Sequence, residues 1–443
     1  MSAHGSSAAP SRERVIAAGA QSVTGRIRQV SIILAVAGMA LFAYGAATGN
    51  DRAWHAFQVN WLFFTVISSA AVTFVAVQRI TTARWSRGII RLLEGYAAFL
   101  PFAWIGLVLM VLMGRGHVYP WWTTLAELGH EKQLYLGHKF FAMRTIGVFT
   151  VLAALHLWYI WTSLRLDVGV SPEGGASWAA GIRARMRATF GEERRELHST
   201  HSLQGKLAVF MVIAFGFGWC ILSWDQSMSL DPHFYSTMYG WQVFMGGWLV
   251  ALMTFSAMVR FWRQRLGAED LITETHYHDL GKLSFAFTAF WGYITFAQYL
   301  VIWYGNVPEE THFFTQRLTH GWTNWTVAIV VLSFVLPFFG LLSVKAKTFS
   351  PTMLFFAACS TLGIWIQRYI EVYPSVYGSV SNVPFSYWEV GITLGFLGVW
   401  AWSYASFMDA FPKFRVFLLT SPFRDEVQVP VDAESMEPLP AHE

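Results

Sequence analysis

The chain has 443 residues, of which 54% are hydrophobic and only 13% charged, and it contains 22 Trp and 37 Phe. A soluble domain carries about 25% charged residues, so this composition excludes an ordinary soluble globule and indicates a polytopic membrane protein. The net charge of +4 is modest and the basic residues are dispersed between apolar runs, which argues against a nucleic-acid partner.

The two ends of the chain differ from its apolar middle. Residues 1–27 are rich in Ala and Ser and do not follow the pattern of a secretory signal, so we interpret them as an uncleaved inner tail. Residues 412–443 are polar and Pro-rich, which predicts a second inner tail that is disordered or lies against a partner. The membrane domain is predicted to be 28–411.

Ten apolar runs are long enough to cross a bilayer, which takes about 20 residues of helix. They are 28–48, 54–78, 89–114, 138–163, 204–223, 236–261, 281–304, 320–344, 350–372 and 385–411. The sequence therefore predicts an all-α membrane protein with about ten transmembrane helices.

The placement of Lys and Arg predicts the orientation of these helices, because cytoplasmic loops carry an excess of both. With the N-terminus inside, the inner segments hold 24 of the 31 basic residues, so both termini are predicted to be cytoplasmic. The outer segments 115–137, 224–235, 305–319 and 373–384 are instead rich in Trp, Tyr, Pro, Asp and Glu. Such loops favour a folded outer cap on which a protein partner docks.

Span 4 carries ionisable groups, which are costly inside a membrane and often mark a pathway or a site. His138 and His156 are 18 residues apart, which is five helical turns, so they share one face of the helix. Thr145 lies on nearly the same stripe, and Arg144 points elsewhere. The pattern predicts a polar seam along this helix. Two unrelated histidines, one interfacial and one bonded to a neighbouring helix, are the alternative.

Further ionisable residues are found at the ends of other spans. The candidates are Asp225 and Asp231 after span 5, Arg368 and Glu371 in span 9, Glu94 in span 3 and Asp409 in span 10. Arg368 and Glu371 are three residues apart on a helix, so they can pair. Glu94 and Asp409 lie about one turn inside the inner ends of their spans, where either nearby arginines neutralise them or they form the mouth of a proton path.

The residue types argue against a bound haem or metal. Two haems would need about four membrane histidines in facing pairs, and only His156 is deep. Cys220 and Cys359 are far apart in apolar segments and are predicted to be core packing. A role in electron transfer would therefore use an exchangeable organic carrier. A membrane quinone fits, because it needs an apolar aromatic slot and one or two polar groups at its head.

Three stretches resemble a known family: "SWDQSMSLDPHFYSTMYGW" (223–241), "FAQYLVIWYGNVPEETHFFTQR" (296–317) and "FVLPFFGLLSVKAKTF" (334–349). They are similar to the NrfD-like integral membrane subunits of bacterial alternative complex III, a quinol:electron-acceptor oxidoreductase, and most of all to the smaller of its two such subunits. The resemblance covers roughly 28–411. It implies two four-helix bundles with one flanking helix on each side, and no redox cofactor held by the chain itself.

The resemblance also implies a location and partners. The location is the bacterial inner membrane. The partners are a second NrfD-like membrane subunit, an Fe–S subunit, multihaem and monohaem c-type cytochrome subunits, lipid and a terminal oxidase.

Three interpretations of the function stay open. In the first, this chain binds a menaquinone-type quinol near its outer rim through His138, Arg144, Asp225 and Asp231. In the second, the partner NrfD-like subunit holds the quinol, and this chain is a scaffold with a partial proton path. The residues considered for that path are Glu94, His156, Arg144, Asp409, Arg368 and Glu371. The third is a secondary transporter, which would bind its substrate at the midplane between broken helices.

Overall fold

The computed structural model describes residues 10–22 and 24–423, which are mainly helical and contain no β-strand. Ten helices in this part of the chain are long and apolar enough to cross a membrane. They are α1 (Gly25–Ala47), α2 (Asp51–Ile80), α3 (Ile90–Leu112), α4 (His138–Val170), α5 (Glu193–Leu230), α6 (Thr237–Leu266), α7 (Glu274–Gly305), α8 (His320–Gly340), α9 (Ser350–Tyr377) and α10 (Tyr387–Ala410). The prediction of an all-α protein with ten spans is confirmed.

Several helices extend beyond the apolar runs that predict them. The apolar run of α4 ends at 163 but the helix continues to Val170, and α5 begins at Glu193 rather than at 204. Hydropathy marks only the part of a helix that needs lipid around it. The backbone hydrogen bonds continue into the polar residues that follow, because neither Pro nor Gly interrupts 193–204.

The spanning helices form two four-helix bundles and a flanking pair. In the first bundle α2, α3, α4 and α5 pack around one another, and in the second α6, α7, α8 and α9 do so. α2 also contacts α6, α9 and α10, and its most apolar segment is entirely buried. Polar side chains on α2 are therefore shielded from lipid on every side.

The flanking helices α1 and α10 pack against each other through small residues. A Cβ atom added at Gly395 would lie 2.8 Å from the Gly38 Cα, and one at Gly398 would lie 2.3 Å from the Ala35 backbone nitrogen. Small residues allow such close approach of membrane helices, which is favoured by van der Waals packing. The expectation of one flanking helix on each side is wrong, because this row of small residues holds α1 and α10 side by side.

Two spanning helices are irregular near a proline. In α3 a 3₁₀ turn, Gly95–Phe99, ends two residues before Pro101, and in α8 a π-helical turn, Val331–Val335, ends two residues before Pro337. Proline has no N–H and its ring displaces the carbonyl four residues earlier. A π turn accommodates this displacement and widens the helix locally.

One end of the molecule carries most of the basic residues, and we call it the basic end. The short helices Arg12–Ala20 and Val416–Thr420 pack together there. Arg12 reaches Glu193 at 2.7 Å, and Arg14 reaches Asp270 at 2.8 Å. Both described chain ends thus lie at this end. Residues 412–423, expected to be disordered or to lie against a partner, pack on the chain itself, whereas 1–9 and 424–443 lie outside the described residues.

The opposite end, which we call the aromatic end, holds the acidic and aromatic connections. Four short helices cover the bundles there: Arg115–Val118, Trp121–Thr124, His130–Tyr135 and Pro308–Leu318. Rings from different connections stack on one another, as Phe234 does on Phe313 with 3.8 Å between centroids. These connections are therefore folded, and they position the polar groups described next.

Candidate functional site

An ion pair closes the aromatic end of the first bundle. The Asp225 carboxylate on α5 accepts hydrogen bonds from Nε and Nη2 of Arg144 on α4, at 3.1 and 2.6 Å. The hydroxyls of Thr145 and Tyr135 donate to the same carboxylate at 2.7 and 3.2 Å. The Tyr135 ring also lies 3.7 Å from the Arg144 guanidinium carbon. Asp225 is fully buried, and these four hydrogen bonds occupy its acceptor positions.

The other two residues of the expected quinone site lie apart from this pair. His138 is exposed at the start of α4, where its ring stacks on Trp122 with 4.0 Å between centroids. Asp231 is half-buried in the turn after α5 and accepts a backbone N–H of that turn at 3.3 Å. The structure therefore brings Arg144 and Asp225 together and places His138 and Asp231 on the surface of the aromatic end.

His156 is buried in the middle of the first bundle, between α4 and α2. Its Nδ1 lies 2.5 Å from Leu152 O, and because a carbonyl only accepts, Nδ1 carries a hydrogen. Its Nε2 lies 3.0 Å from Thr73 Oγ1 and 3.1 Å from Ser69 O. The Thr73 hydroxyl donates to Ser69 O at 2.9 Å, so a protonated ring can donate from Nε2 to Thr73 Oγ1 or to Ser69 O. A neutral ring can accept from Thr73 when that hydroxyl turns toward Nε2. This arrangement can hydrogen-bond both protonation states, which a proton relay requires.

The contacts of His156 on α2 belong to a polar stripe. Gln58, Thr65, Ser69 and Thr73 are spaced by seven, four and four residues, so they lie on one face of the buried helix. Gln58 Oε1 and Thr65 Oγ1 make no hydrogen bond with other described residues. Buried polar atoms of this kind are normally satisfied by ordered water, so we expect water along this stripe.

Two acids and two arginines meet at the basic end of the first bundle. Arg91 contacts the carboxylates of both Glu94 and Asp167, so Glu94 has the arginine neighbour that one of the two interpretations predicts, and its role in a proton path stays a prediction. The Ser163 hydroxyl donates to Glu94 at 2.9 Å and accepts from Arg415 at 2.9 Å. The two opposite charge pairs balance, which allows four ionised groups to be buried together.

These groups follow one another through the first bundle, and we call them the polar seam. It consists of Arg144, Thr145, Asp225, Gln58, Thr65, Ser69, Thr73, His156, Ser163, Glu94, Asp167, Arg91 and Arg415. Along α4, Thr145 and His156 are about 16 Å apart, and His156 and Ser163 about 10 Å. Direct side-chain contact does not bridge these steps, so a proton moving along the seam would use the α2 hydroxyls and bound water.

Three residues considered for the proton path lie outside the seam. Asp409 contacts Thr24 and Arg28 beside the flanking helices, so arginine neutralisation is found for this acid too. Arg368 and Glu371 pair at 2.8 Å in the second bundle, as their spacing predicts. The structure thus divides the expected path between two bundles and the flanking pair.

The second bundle contains an apolar cavity of about 660 Å³ that extends from Arg317 and Glu371, toward the aromatic end, to Phe338 near the other end of α8. Its walls are mostly aromatic and aliphatic side chains of α7, α8 and the helix Pro308–Leu318. Its polar lining includes Glu371 and Gln367 from α9, Tyr239 and Gln242 from α6, and Arg317. The cavity is large enough for a small-molecule ligand.

Arg317 holds the aromatic end of this cavity together. Its Nε and Nη2 donate to the backbone carbonyls of Ile370 and Glu371 at 3.0 and 3.1 Å, and Nη2 also reaches Ser375 Oγ at 2.6 Å. Burial lowers the pKa of Arg317 to about 10, so the guanidinium remains charged at neutral pH. Its remaining nitrogen, Nη1, donates to Phe313 O of its own helix at 2.9 Å. All three nitrogens thus have protein acceptors, which makes Arg317 a positioning group rather than a ligand contact.

Sequence reasoning missed part of the seam, although signals for it were present. Asp167 is eleven residues after His156 on the same stripe of α4, but it lies beyond the apolar run that defined the span. Ser69 and Thr73 are polar residues four apart inside an apolar run. The approach of Arg415 from the C-terminal segment has no local signal, since it depends on how that segment folds back.

No protein-family model and no curated protein sequence matches the chain. Within residues 10–22 and 24–423, no three His, Cys, Asp or Glu side chains group in a way that could hold a metal ion.

Proposed function

We propose that this multi-pass membrane protein is an NrfD-like integral subunit of a quinol:electron-acceptor oxidoreductase of the alternative complex III type, most like its ActF subunit. The observation that carries the proposal is the polar seam, a line of buried ionisable groups through a lipid-facing domain. Such groups are expensive in a membrane and are retained where a charge or a proton must be handled. The resemblance of 223–241, 296–317 and 334–349 supports the family.

In the proposed complex, oxidation of a menaquinone-type quinol releases two protons and two electrons. Electrons would pass to Fe–S and c-type haem partners, because the sequence does not offer the four membrane histidines in facing pairs that two haems would need. Protons would pass along the seam through bound water, with Nε2 of His156 taking up a proton from water beside Thr73 and releasing it to water further along the α2 stripe. The acid clusters around Asp225 and Glu94 would form its two ends.

We propose that the aromatic end is the outer face, on which the redox partners dock. The basic end would then be cytoplasmic, in the inner membrane of a bacterium, in keeping with the excess of Lys and Arg there. The expected neighbours in the membrane are the second NrfD-like subunit, lipid and a terminal oxidase. The Fe–S subunit and the multihaem and monohaem cytochromes would cover the aromatic end.

Purification of the tagged chain in a mild detergent tests this proposal. We expect c-type haem and an Fe–S protein to co-purify, with the haem reduced on addition of quinol. A colourless chain without partners would refute the redox role and favour the transporter.

Substitution of two exposed aromatic residues, one at each end of the molecule and equal in exposed fraction, tests which end is the docking face. Tyr235 at the aromatic end and Trp178 at the basic end are each 56% exposed. Tyr235→Ala should release haem-containing subunits during purification, because it removes an aromatic contact from the proposed interface. Trp178→Ala is the control and should retain them. Equal retention in both variants would count against docking at the aromatic end.

A further inference from the structure

The geometry points to a second ligand site in this protein: we propose that the cavity of the second bundle binds a lipid-soluble quinone, with its head group beside Glu371 and Gln367. The inference rests on the proposed function for the choice of a quinone as the lipid-soluble ligand. The proposed site shares no residue with the pair Arg144–Asp225, which belongs to the quinone site expected from the sequence.

The polar groups of the cavity have unused hydrogen-bonding capacity. Glu371 is 5% exposed; its Oε2 forms the ion pair with Arg368 at 2.8 Å, whereas its Oε1 has no hydrogen-bond donor among the described residues. Gln367 Oε1 and Trp291 Nε1, which also line the cavity, make no hydrogen bond within the described part of the chain either. An unpaired buried donor or acceptor is costly because it has left water without a new partner, so three such atoms around one cavity indicate a ligand with complementary groups.

The chemistry of these groups matches a quinone head group. The hydroxyl of a quinol can donate to the Glu371 carboxylate, and the carbonyl of a quinone can accept from Trp291 Nε1–H. An anionic phospholipid head group fits less well. Its phosphate would have to leave water and lie beside a carboxylate that already pairs with Arg368.

The walls of the cavity suit a flat ring and an apolar tail. Phe334 and Phe338 from α8 line it, and the π turn that precedes Pro337 displaces this part of the helix. Gly292 on α7 makes room for Phe334, because a Cβ atom there would lie 2.4 Å from the ring. Aromatic faces and edges favour offset stacking with a planar ligand ring.

The cavity opens sideways onto the surface that faces lipid. Tyr293 on α7 and Val330 on α8 both line it, and they are 65% and 44% exposed. Glu371 lies six residues before the end of α9, about 9 Å along the helix axis. A quinone could therefore enter between α7 and α8 with its head group in the half of the membrane next to the aromatic end.

Photolabelling of the full-length chain in lipid nanodiscs tests the site. The probe is an azide-substituted naphthoquinone with a short prenyl tail. We expect label on residues 289–299 or 326–338, and at least tenfold less when excess unmodified naphthoquinone is present. Label spread over the whole lipid-facing surface, or label that unmodified quinone does not reduce, would overturn the proposal.

Two matched variants separate the cavity from the helix surface. Ala289→Trp fills the cavity, whereas Ala286→Trp places the same side chain on the exposed face of α7, one turn earlier. We expect Ala289→Trp to lower labelling at least tenfold and Ala286→Trp to change it less than twofold. Equal labelling in the two variants would contradict the inference. If Ala289→Trp does not fold, the competition experiment on the unmodified chain still decides.

A photoreactive phospholipid is the second probe. If it labels the same residues and displaces the quinone probe, the cavity is a lipid site and the proposal fails. These results are independent of subunit composition. If haem co-purifies but the cavity is not labelled, the proposed function stands and the quinone site fails. If the cavity is labelled in a chain that purifies without partners, the quinone site stands and the proposed function fails.

Discussion

The substitution Asp225→Ala tests whether the ion pair stabilises the aromatic end of the first bundle. It removes the acceptor for Arg144 Nε and Nη2 and for the hydroxyls of Thr145 and Tyr135. Removing one partner of a buried ion pair costs about 3–5 kcal/mol. The Arg144 side chain is 10% exposed and still donates a hydrogen bond to the Tyr135 carbonyl at 2.9 Å. We therefore expect the free energy of unfolding to fall by about 3 kcal/mol, the lower end of this range.

The assay is unfolding of the detergent-solubilised chain by sodium dodecyl sulfate, followed by tryptophan fluorescence. The control is the double variant Arg144→Met with Asp225→Leu. It should be more stable than Asp225→Ala alone, since apolar groups of similar volume can replace a buried ion pair at little cost. A loss below about 0.5 kcal/mol for Asp225→Ala, the range of surface substitutions, would refute the reasoning.

Three further predictions concern the seam, the flanking helices and the N-terminal helix. His156→Leu should lower quinol-dependent turnover or proton coupling at least about tenfold in an assembled complex, because it removes both ring nitrogens; wild-type values would exclude a relay role. Gly395→Leu should destabilise the chain by about 1–3 kcal/mol or more in thermal unfolding, because its Cβ would lie 2.8 Å from the backbone of α1. Gly147→Leu is its control, because an added Cβ there would meet no described atom within 4 Å apart from its own stretch of helix. The hydrogen bond from Arg14 lowers the pKa of Asp270 below its usual value of 3.8. The contribution of this ion pair to the docking of Arg12–Ala20 should therefore be constant from about pH 8 to about pH 5. It should decrease as the pH falls through the lowered pKa of Asp270, because the carboxylate then becomes protonated. Protection factors of the amides of Arg12–Ala20 that are the same at pH 5 and pH 3, after correction for the intrinsic exchange rates, would contradict this.

The membrane part of the fold could be read from the sequence because its cause is local. A run of about 20 apolar residues is enough to define a spanning helix, and all ten runs are spans. The pairing of Arg368 with Glu371 is local as well, since residues three apart on a helix are neighbours. The polar face of α4 followed from the same periodicity, which placed Thr145 and His156 together on its buried side.

Contacts between distant segments could not be read in this way. No periodicity indicates that Arg144 meets Asp225, that Arg415 returns to Ser163 and Glu94, or that α1 lies against α10. Each depends on which helix faces meet after all the spans have packed. Membrane helices are equally apolar on many faces, so hydropathy does not choose among them, and small residues and polar pairs decide.

The amino-acid sequence by itself determined that this is a ten-helix membrane protein with a basic and an aromatic end, and which helices carry charge. Only the tertiary structure decided where those charges lie relative to one another. It placed His156 against the hydroxyls of α2, divided the expected proton path between two bundles, and left Glu371 beside a cavity. The physical reason is that helix formation depends on neighbours in the chain, whereas a site depends on packing between helices far apart in sequence.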